Sequence, residues 1–302
     1  MSYKNVLVTG GSGFLGKRLK KFKPQWTYVS SKDYDLTSYK ETDEMIKEHQ
    51  PDAIIHLAAK VGGVKENQEK QGEFFYKNVY INTNVVEAAR NNGVKRLLAS
   101  LSTCAFPDTL ERYPFIEEDL FSGKPAESNL SYGYTKRLLH VQCLSYRKQY
   151  GLNYSTFCPS NIYGPEDHFN QESSHFVASL VSKIVASKNG DTLEFWGTGA
   201  PLRQQLYVDD LCRIIPELLE KHNTNIPLII APEENLSIKE MCEIALNISK
   251  KDVKYTFNGY LDGQYRKDGS NLEFKKLVGN INFTSFEEGI LNTFKYVLGE
   301  NK

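Results

Sequence analysis

Asn5-Val6-Leu7-Val8-Thr9-Gly10-Gly11-Ser12-Gly13-Phe14-Leu15-Gly16 is the stretch that decides the fold of this chain. Asn5 to Thr9 form a short apolar run, as expected of a strand buried on both faces. The glycines follow at once in a G-x-x-G-x-x-G spacing, and Lys17-Arg18-Leu19 begins a helix. Glycines so spaced allow a tight turn and a close approach of backbone to a pyrophosphate, which the helix N-terminus then faces. Gly10, Ser12, Gly13, Phe14, Leu15 and Gly16 are therefore candidate contacts to a dinucleotide. Trp26-Thr27-Tyr28-Val29 reads as the second strand and ends in Ser30-Ser31-Lys32. Binders of NAD commonly carry an acidic residue at this strand end to take the ribose hydroxyls. The nearest acid here, Asp33, comes only after the lysine. The hydroxyl of Ser31 and the ammonium of Lys32 suit a 2′-phosphate instead, so NADPH/NADP is the expected cofactor. Asp35 and Leu36 follow, where backbone and side chain could meet adenine.

Outward from this stretch the βα rhythm continues. A helix is expected over 41–49, then a turn and apolar strand over 51–59, with His56 a core histidine inside it. The strand end offers Ala58, Ala59 and, after Lys60, Val61, small or apolar residues where a backbone could pass a bound dinucleotide. A long helix is expected over 74–92, closed by Gly93. The strand over 94–101 delivers Ser102-Thr103-Cys104 at its carboxyl end, where open α/β sheets gather their chemistry. After an irregular acidic loop, a helix over 131–150 carries Tyr132-Gly133-Tyr134-Thr135-Lys136. Y-x-x-x-K on a helix puts the phenol and the ammonium one turn apart on the same face. A free tyrosine titrates near about 10. A neighbouring positive charge is expected to favour the phenolate and bring that value down. The strand over 152–157 runs into Cys158-Pro159-Ser160-Asn161-Ile162, where Pro159, Asn161 and Ile162 complete the expected cofactor contacts.

Beyond this the rhythm changes. A serine-capped helix is expected from Ser173-Ser174-His175 through Ala186, and a strand and turn at Glu194 to Gly199. Residues 203–211 return to strand and then helix, back in the first domain. A short strand over 227–230, a helix over 237–249, a strand over 253–257, a polar loop over 262–267 and a last helix from Ser285 follow. The fold class is α/β: a doubly wound parallel (Rossmann) sheet with a smaller, interleaved C-terminal substrate lobe. Residues 1–160 with about 204–226 are expected to form the NADP(H)-binding domain. About 161–203 with 227–302 are expected to form the smaller, substrate-binding lobe.

Composition narrows the class. The chain has 302 residues, with Lys+Arg 37 against Asp+Glu 37, so no bulk field draws it to nucleic acid or an anionic membrane. No signal peptide and no apolar run near about twenty residues is seen, and a cytoplasmic protein is expected. Cys104, Cys143, Cys158, Cys212 and Cys242 are odd in number and form no C-x-x-C, so neither a disulfide framework nor a metal site is indicated.

The motifs T-G-G-x-G-F-L-G, H-L-A-A, S-T-C, Y-x-x-x-K, N-I-Y-G-P and R-Q-x-x-Y-V-D-D, in this order, resemble the extended short-chain dehydrogenase/reductase family of sugar-nucleotide enzymes. Ala59 to Gly63, Leu101 to Pro107, Gly164 to Phe169, Ser174-His175, Phe195 to Gly199 and Asp262-Gly263-Gln264 look like the members that epimerise and reduce GDP-4-keto-6-deoxy-D-mannose. The resemblance implies Ser102, Tyr132 and Lys136 as the reductase triad and Cys104 with His175 as the acid–base pair that inverts carbon centres. It implies Val61, Asn161, Lys183, Trp196, Arg203 and Lys267 as contacts to the GDP-sugar substrate. It also implies a homodimer in which the 74–92 and 131–150 helices form a four-helix contact. Two departures stand out. The glycine loop lacks an arginine found in some members, which leaves 2′-phosphate recognition to the Ser30-Ser31-Lys32 end. Lys183 stands where some members have arginine, which weakens any bidentate phosphate contact. A 4-reductase without epimerase activity, acting on a GDP-4-keto-hexose or heptose, and a non-catalytic NADP(H) sensor are the competing readings.

Overall fold

β1 (Val6–Thr9) pairs in parallel with both β2 (Thr27–Val29) and β3 (Ala53–His56). The computed structural model describes residues 3–62, 69–170, 174–260 and 262–300. Beyond β3 lie β4 (Arg96–Ser100), β5 (Asn153–Pro159) and β10 (Pro227–Ile230), giving a six-stranded parallel sheet in the order β10-β5-β4-β3-β1-β2. The chain winds one way from β1 to β2 and the other way from β3 onward. The strand order therefore switches between β1 and β3, and the crevice beyond their carboxyl ends is where such sheets bind ligands.

Alternation along each strand explains how both faces are filled. Leu7, Ile54 and Leu97 pack with Val85, Val86 and Ala88 of α3 (Gln71–Asn91) and with Leu139 and Cys143 of α4 (Leu130–Tyr150). Met45 and Ile46 of α2 (Tyr39–His49) join that layer. Val6, Val8, Ile55 and Leu98 face the other way, onto Leu15 and Leu19 of α1 (Phe14–Phe22) and Leu211, Ile214, Ile215 and Leu218 of α6 (Val208–Lys221). A third core builds the smaller lobe. It joins Val177, Leu180 and Val181 of α5 (Phe176–Ala186) to Met241 of α7 (Ile238–Ser249) and to Phe286 and Ile290 of α9 (Phe286–Val297). Small sheets complete that lobe. β6 (Asn161–Tyr163) pairs with β9 (Gln205–Tyr207), β7 (Thr192–Phe195) with β12 (Lys254–Phe257), and β8 (Leu202–Arg203) with β11 (Leu236–Ser237) and β13 (Arg266–Lys267).

The expected division of the chain needs correction. Pro227–Ile230, assigned above to the smaller lobe, is the edge strand of the main sheet beside β5. Phe274, in the helix α8 (Leu272–Val278), is buried in the same core as α1 and α6. A short strand and a short helix carry no signal of which sheet receives them, because that depends on which edge is free. The helix expected from Ser173 also starts later: Ser173 and Gly63 lie outside the described residues, and the N-cap of α5 is His175, which makes no side-chain cap. Ser174 instead turns its hydroxyl onto the carbonyls of His168 and Asn170.

Buried histidines tie these layers together. His56 is a core residue, as read from its strand. Asn82 donates to the Thr135 carbonyl at 3.3 Å, so its amide oxygen faces His56 Nε2 at 3.1 Å and accepts from it. His56 Nδ1 is then the acceptor for the Thr9 hydroxyl at 2.8 Å. This chain links the ends of β1 and β3 through α3 to α4. Burial lowers the pKa of His56 to about 3, and burial also lowers His140 and His222 to about 4 each. Each histidine is neutral when folded and takes up a proton when unfolded, near about 6.5. Their stabilising contribution is full above that value and drains away as pH falls toward 4. Denaturant unfolding should show stability steady near neutrality and falling below pH 6.5, with a slope approaching about 4 kcal/mol per pH unit if all three protons are taken up together.

Candidate active site at the carboxyl edge of the sheet

The turn after β1 leaves backbone donors free for an anion. Gly10 has φ +78°, and a Cβ there would lie 2.8 Å from the Ala58 nitrogen, so only glycine lets the ends of β1 and β3 meet this closely. The N-cap of α1 is Gly13, which offers no side chain to the first-turn N–H groups. Those donors lack an intrahelical partner by construction. A cradle of bare N–H groups at a helix N-terminus, opposite Ala58 and Ala59, fits a dinucleotide pyrophosphate. Past β2, the Asp33 carboxylate accepts from the Ser30 nitrogen and hydroxyl, both at 2.8 Å. The one acid at this strand end is thus turned back on its own turn, while Ser31 and Lys32 are exposed. Asp35 is also occupied, accepting from Thr37 N at 2.9 Å and Oγ1 at 2.7 Å, and the Leu36 carbonyl accepts from Asn84 at 3.0 Å. Pro159 ends β5, and Asn161 and Ile162 follow in β6, at the same edge of the sheet.

Ser102 caps a short 3-10 turn, Thr103–Ala105, and its hydroxyl accepts from the Cys104 nitrogen at 3.2 Å. Helix α4 lies directly against this turn. A Cβ on Gly133 would sit 2.5 Å from the Cys104 carbonyl oxygen, and Arg137 Nε donates to the Ala105 carbonyl at 2.6 Å. This contact delivers Tyr132 and Lys136 beside Ser102 and Cys104.

The relation of Tyr132 to Lys136 differs from expectation. Lys136 Nζ donates to the Ser100 carbonyl at 2.7 Å and stands 5.7 Å from the centre of the Tyr132 ring. Burial lowers the Lys136 pKa to about 8. The Tyr132 phenol is pushed well up, first by burial and then by Cys104 and Cys158. Desolvation outweighs a distant ammonium that is already engaged elsewhere. Tyr132 is therefore a phenol, ready to donate a proton, and not a phenolate.

Cys104 is the opposite case. Burial by itself would push its thiol up, but Lys267, the Ser102 hydroxyl and Arg203 together bring it below its ordinary value. Lys267 Nζ donates to Cys104 Sγ at 3.1 Å. His175, at the N-cap of α5, is lowered by desolvation and then by the charges of Lys267 and His168. By its accessible surface His175 is exposed. Arg203, lowered mainly by burial, also acts on Cys104 and donates to the Leu202 carbonyl at 2.7 Å. Phenol, hydroxyl, ammonium and thiol thus meet from α4, the turn after β4 and β13, while the imidazole at the N-cap of α5 feels the charge of Lys267.

Lys183, Trp196 and Val61 are the other residues expected near a sugar nucleotide. Lys183 Nζ donates to the Glu194 carbonyl at 2.9 Å and lies 5.1 Å from the centre of the Phe195 ring. Trp196 is 71% exposed just past β7, and Val61 is 52% exposed after β3. Lys183 is thus engaged with β7, while Trp196 and Val61 stand open to solvent. Among the described residues no group of three or more His, Cys, Asp or Glu could hold a metal ion, and no helix is long and apolar enough to cross a membrane.

The model of the NAD dependent epimerase/dehydratase family matches residues 6–230, from β1 to the last residue of β10. The chain belongs to this family. Its relatives include the GDP-L-fucose synthase of Dictyostelium discoideum, 35% identical over 308 residues, 98% of this chain and 96% of the relative. The probable GDP-L-fucose synthase of Drosophila melanogaster is 34% identical over 317 residues, 98% and 97% of the two chains. A solved GDP-L-fucose synthetase from Naegleria fowleri bound to NADP superposes with a TM-score of 0.91 at 31% identity, covering 98% of this chain and 93% of that one.

Within this family member, sequence reasoning missed Arg137 and Glu117, and it quoted Gly133 and Gln264 only as parts of motifs, without their roles. Glu117 is a buried carboxylic acid, its pKa raised by burial, that accepts from the Ile229 nitrogen at 3.0 Å. Gln264 donates to the Pro107 and Asp108 carbonyls. All four act on backbone far away in sequence, and only Gly133 and Gln264 carried a hint, through the motifs that contain them.

Proposed function

We propose that the protein performs the NADPH-dependent 3,5-epimerisation and 4-reduction of GDP-4-keto-6-deoxy-D-mannose to GDP-L-fucose. The observation that carries this reading is Lys267, whose ammonium sits on the Cys104 sulfur and acts on His175 as well, beside Ser102, Tyr132 and Lys136. A reductase needs the phenol, hydroxyl and lysine. The thiol and imidazole have work only where carbon centres are inverted.

The main-sheet unit would hold the cofactor: Gly10, Ser12, Gly13, Phe14, Leu15 and Gly16 at the pyrophosphate, Ser31 and Lys32 at the 2′-phosphate, Asp35 and Leu36 at the adenine. Ala58, Ala59, Pro159, Asn161 and Ile162 would line its path. The smaller lobe would hold the GDP-sugar through Lys183, Trp196 and Arg203, with Val61 and Asn161 across the cleft. Bound NADPH supplies the hydride that reduces the C4 carbonyl.

That carbonyl acidifies the protons on C3 and C5. The Cys104 thiolate removes one, leaving an enolate whose charge gathers on O4. Ser102 and Tyr132 donate hydrogen bonds to that oxygen. The protonated form of His175, a minority near neutrality because burial and Lys267 lower its pKa, delivers a proton to the opposite face, which inverts the centre. The cycle leaves a thiol and a neutral imidazole, and exchange with solvent restores both. For reduction Tyr132 gives its proton to O4, which suits a phenol that burial keeps protonated, and Lys136 orients it.

In deuterated water without NADPH, the 4-keto substrate should take up deuterium at C3 and C5, read by NMR. Cys104→Ser should slow this by roughly 10²-fold or more. No exchange in the wild type would leave a 4-reductase only. Tyr132→Phe should slow NADPH oxidation by roughly 10²–10⁴-fold, and a near wild-type rate would sink the assignment.

A homodimer goes with this reading. α3 and α4 lie side by side and expose Phe75, Tyr76, Tyr80, Tyr134, Leu138 and Val141, which suits a four-helix contact. Sedimentation should give a dimer, and Leu138→Asp a monomer. Cys104 is free, as a catalytic thiolate requires.

A further inference from the structure

Lys267 reaches Cys104 from the far end of the chain, and what brings it there is a segment with no catalytic residue of its own. Asp262 accepts from the Thr198 nitrogen at 2.8 Å and hydroxyl at 2.6 Å, which anchors the segment to the turn after β7. Gln264 Nε2 then donates to the Pro107 carbonyl at 3.1 Å and the Asp108 carbonyl at 2.8 Å, just past the cysteine. Arg266 and Lys267 pair in parallel with Leu202 and Arg203. On the other side, Phe115 N donates to the Asp268 carbonyl at 2.9 Å and Ser270 N to the Phe115 carbonyl at 2.7 Å. The loop that follows Cys104 is therefore bonded to this segment both before and after Lys267.

The charges are arranged to match. The acids flanking Lys267 are already engaged. Asp268 is held by Arg266 through Nε at 2.6 Å and Nη2 at 3.0 Å, and Asp262 by Thr198. The ammonium of Lys267 donates to sulfur instead. A half-buried ammonium set on a neutral thiol gains little, whereas set on a thiolate it forms a charge-assisted bond. The other groups acting on or beside this sulfur are Arg203 from β8, Tyr132 from α4, the Cys158 thiol from β5 and the Ser102 hydroxyl. Among these only Arg203 adds a second positive charge.

We infer that residues 262–268 are a strap that sets the reactivity of Cys104: Gln264 fixes it to the backbone beyond the cysteine, and Lys267 lays its ammonium on the sulfur to hold the thiolate. Gln264 is thus a positioning residue, whose amide nitrogen is spent on the Pro107 and Asp108 carbonyls. Lys267 serves the thiol before any substrate phosphate arrives. At pH 7 a free cysteine, titrating near about 8.5, is about 3% thiolate, and lowering that value by one unit raises the reactive fraction roughly eightfold. The significance of the strap for catalysis rests on Cys104 being the epimerisation base. Its chemistry can be tested without sugar or NADPH, so the two readings can fail separately.

The experiment is the rate of iodoacetamide alkylation of Cys104 against pH, followed at that site by mass spectrometry; the other four cysteines are buried. The wild-type midpoint should lie below that of a free cysteine. Lys267→Met should move it up by about one pH unit or more, and Lys267→Arg should largely restore it. Gln264→Leu, which leaves every charge in place, should move it the same way by less. A wild-type midpoint at or above the free-thiol value overturns the inference without any variant. So does a profile unmoved by Lys267→Met or by Gln264→Leu, each checked as folded by its melting temperature.

Discussion

The contact of helix α4 with the Ser102–Ala105 turn is the constraint on which the site depends. The helix comes so close that nothing larger than glycine fits at 133, against the Cys104 carbonyl. Arg137, one turn on, holds the next carbonyl at 2.6 Å. One interface thereby sets the spacing among four functional groups, because Ser102 and Cys104 belong to the turn while Tyr132 and Lys136 belong to the helix. The histidine and asparagine beneath it brace the same helix from below, where the Asn82 amide reaches the Thr135 carbonyl. A displacement of the helix would disturb the phenol and the thiol together.

Burial acts on each shifted group of this cleft, helped by neighbouring charges at Tyr132 and His175 and opposed by them at Lys136, Arg203 and Cys104, and the outcome assigns the chemistry. Burial disfavours the charged form of each. It wins at Tyr132, which stays a phenol, and at Lys136, His175 and Arg203, whose pKa values fall. Only at Cys104 do neighbouring cations overcome it. The same cleft therefore offers a proton donor and a thiolate within one cluster. Two lobes are needed for this, since the thiol comes from the main sheet and its cation from the smaller one.

Much of this was legible along the chain. The apolar runs of β1 and β3 and the glycine turn foretold a parallel sheet wound both ways, because a strand covered on two faces has no polar alternation. His56 could be read as a core residue from the apolar strand around it. The phenol and ammonium of α4 were found from helical spacing. What that spacing could not give was their electrostatic balance. Lys136 spends its ammonium on the Ser100 carbonyl, a partner contributed by another element, so the phenol is not held as the anion. Pro227–Ile230 was misplaced for a like reason: its apolar side chains would suit any buried edge, and the free one was beside β5. The start of α5 was placed too early because serine at a helix entrance signals a cap only when its hydroxyl is not taken by other carbonyls.

By itself the sequence determined the elements and most of the reactive groups, since periodicity, glycine turns and a strand-end serine and cysteine are local properties. Only the tertiary structure decided which cation meets which sulfur. Lys267 and Cys104 lie in different lobes, and their 3.1 Å contact depends on a strap whose bonds run to backbone carbonyls. Every residue has a carbonyl, so no pattern of side chains announces such a bond before the chain has folded.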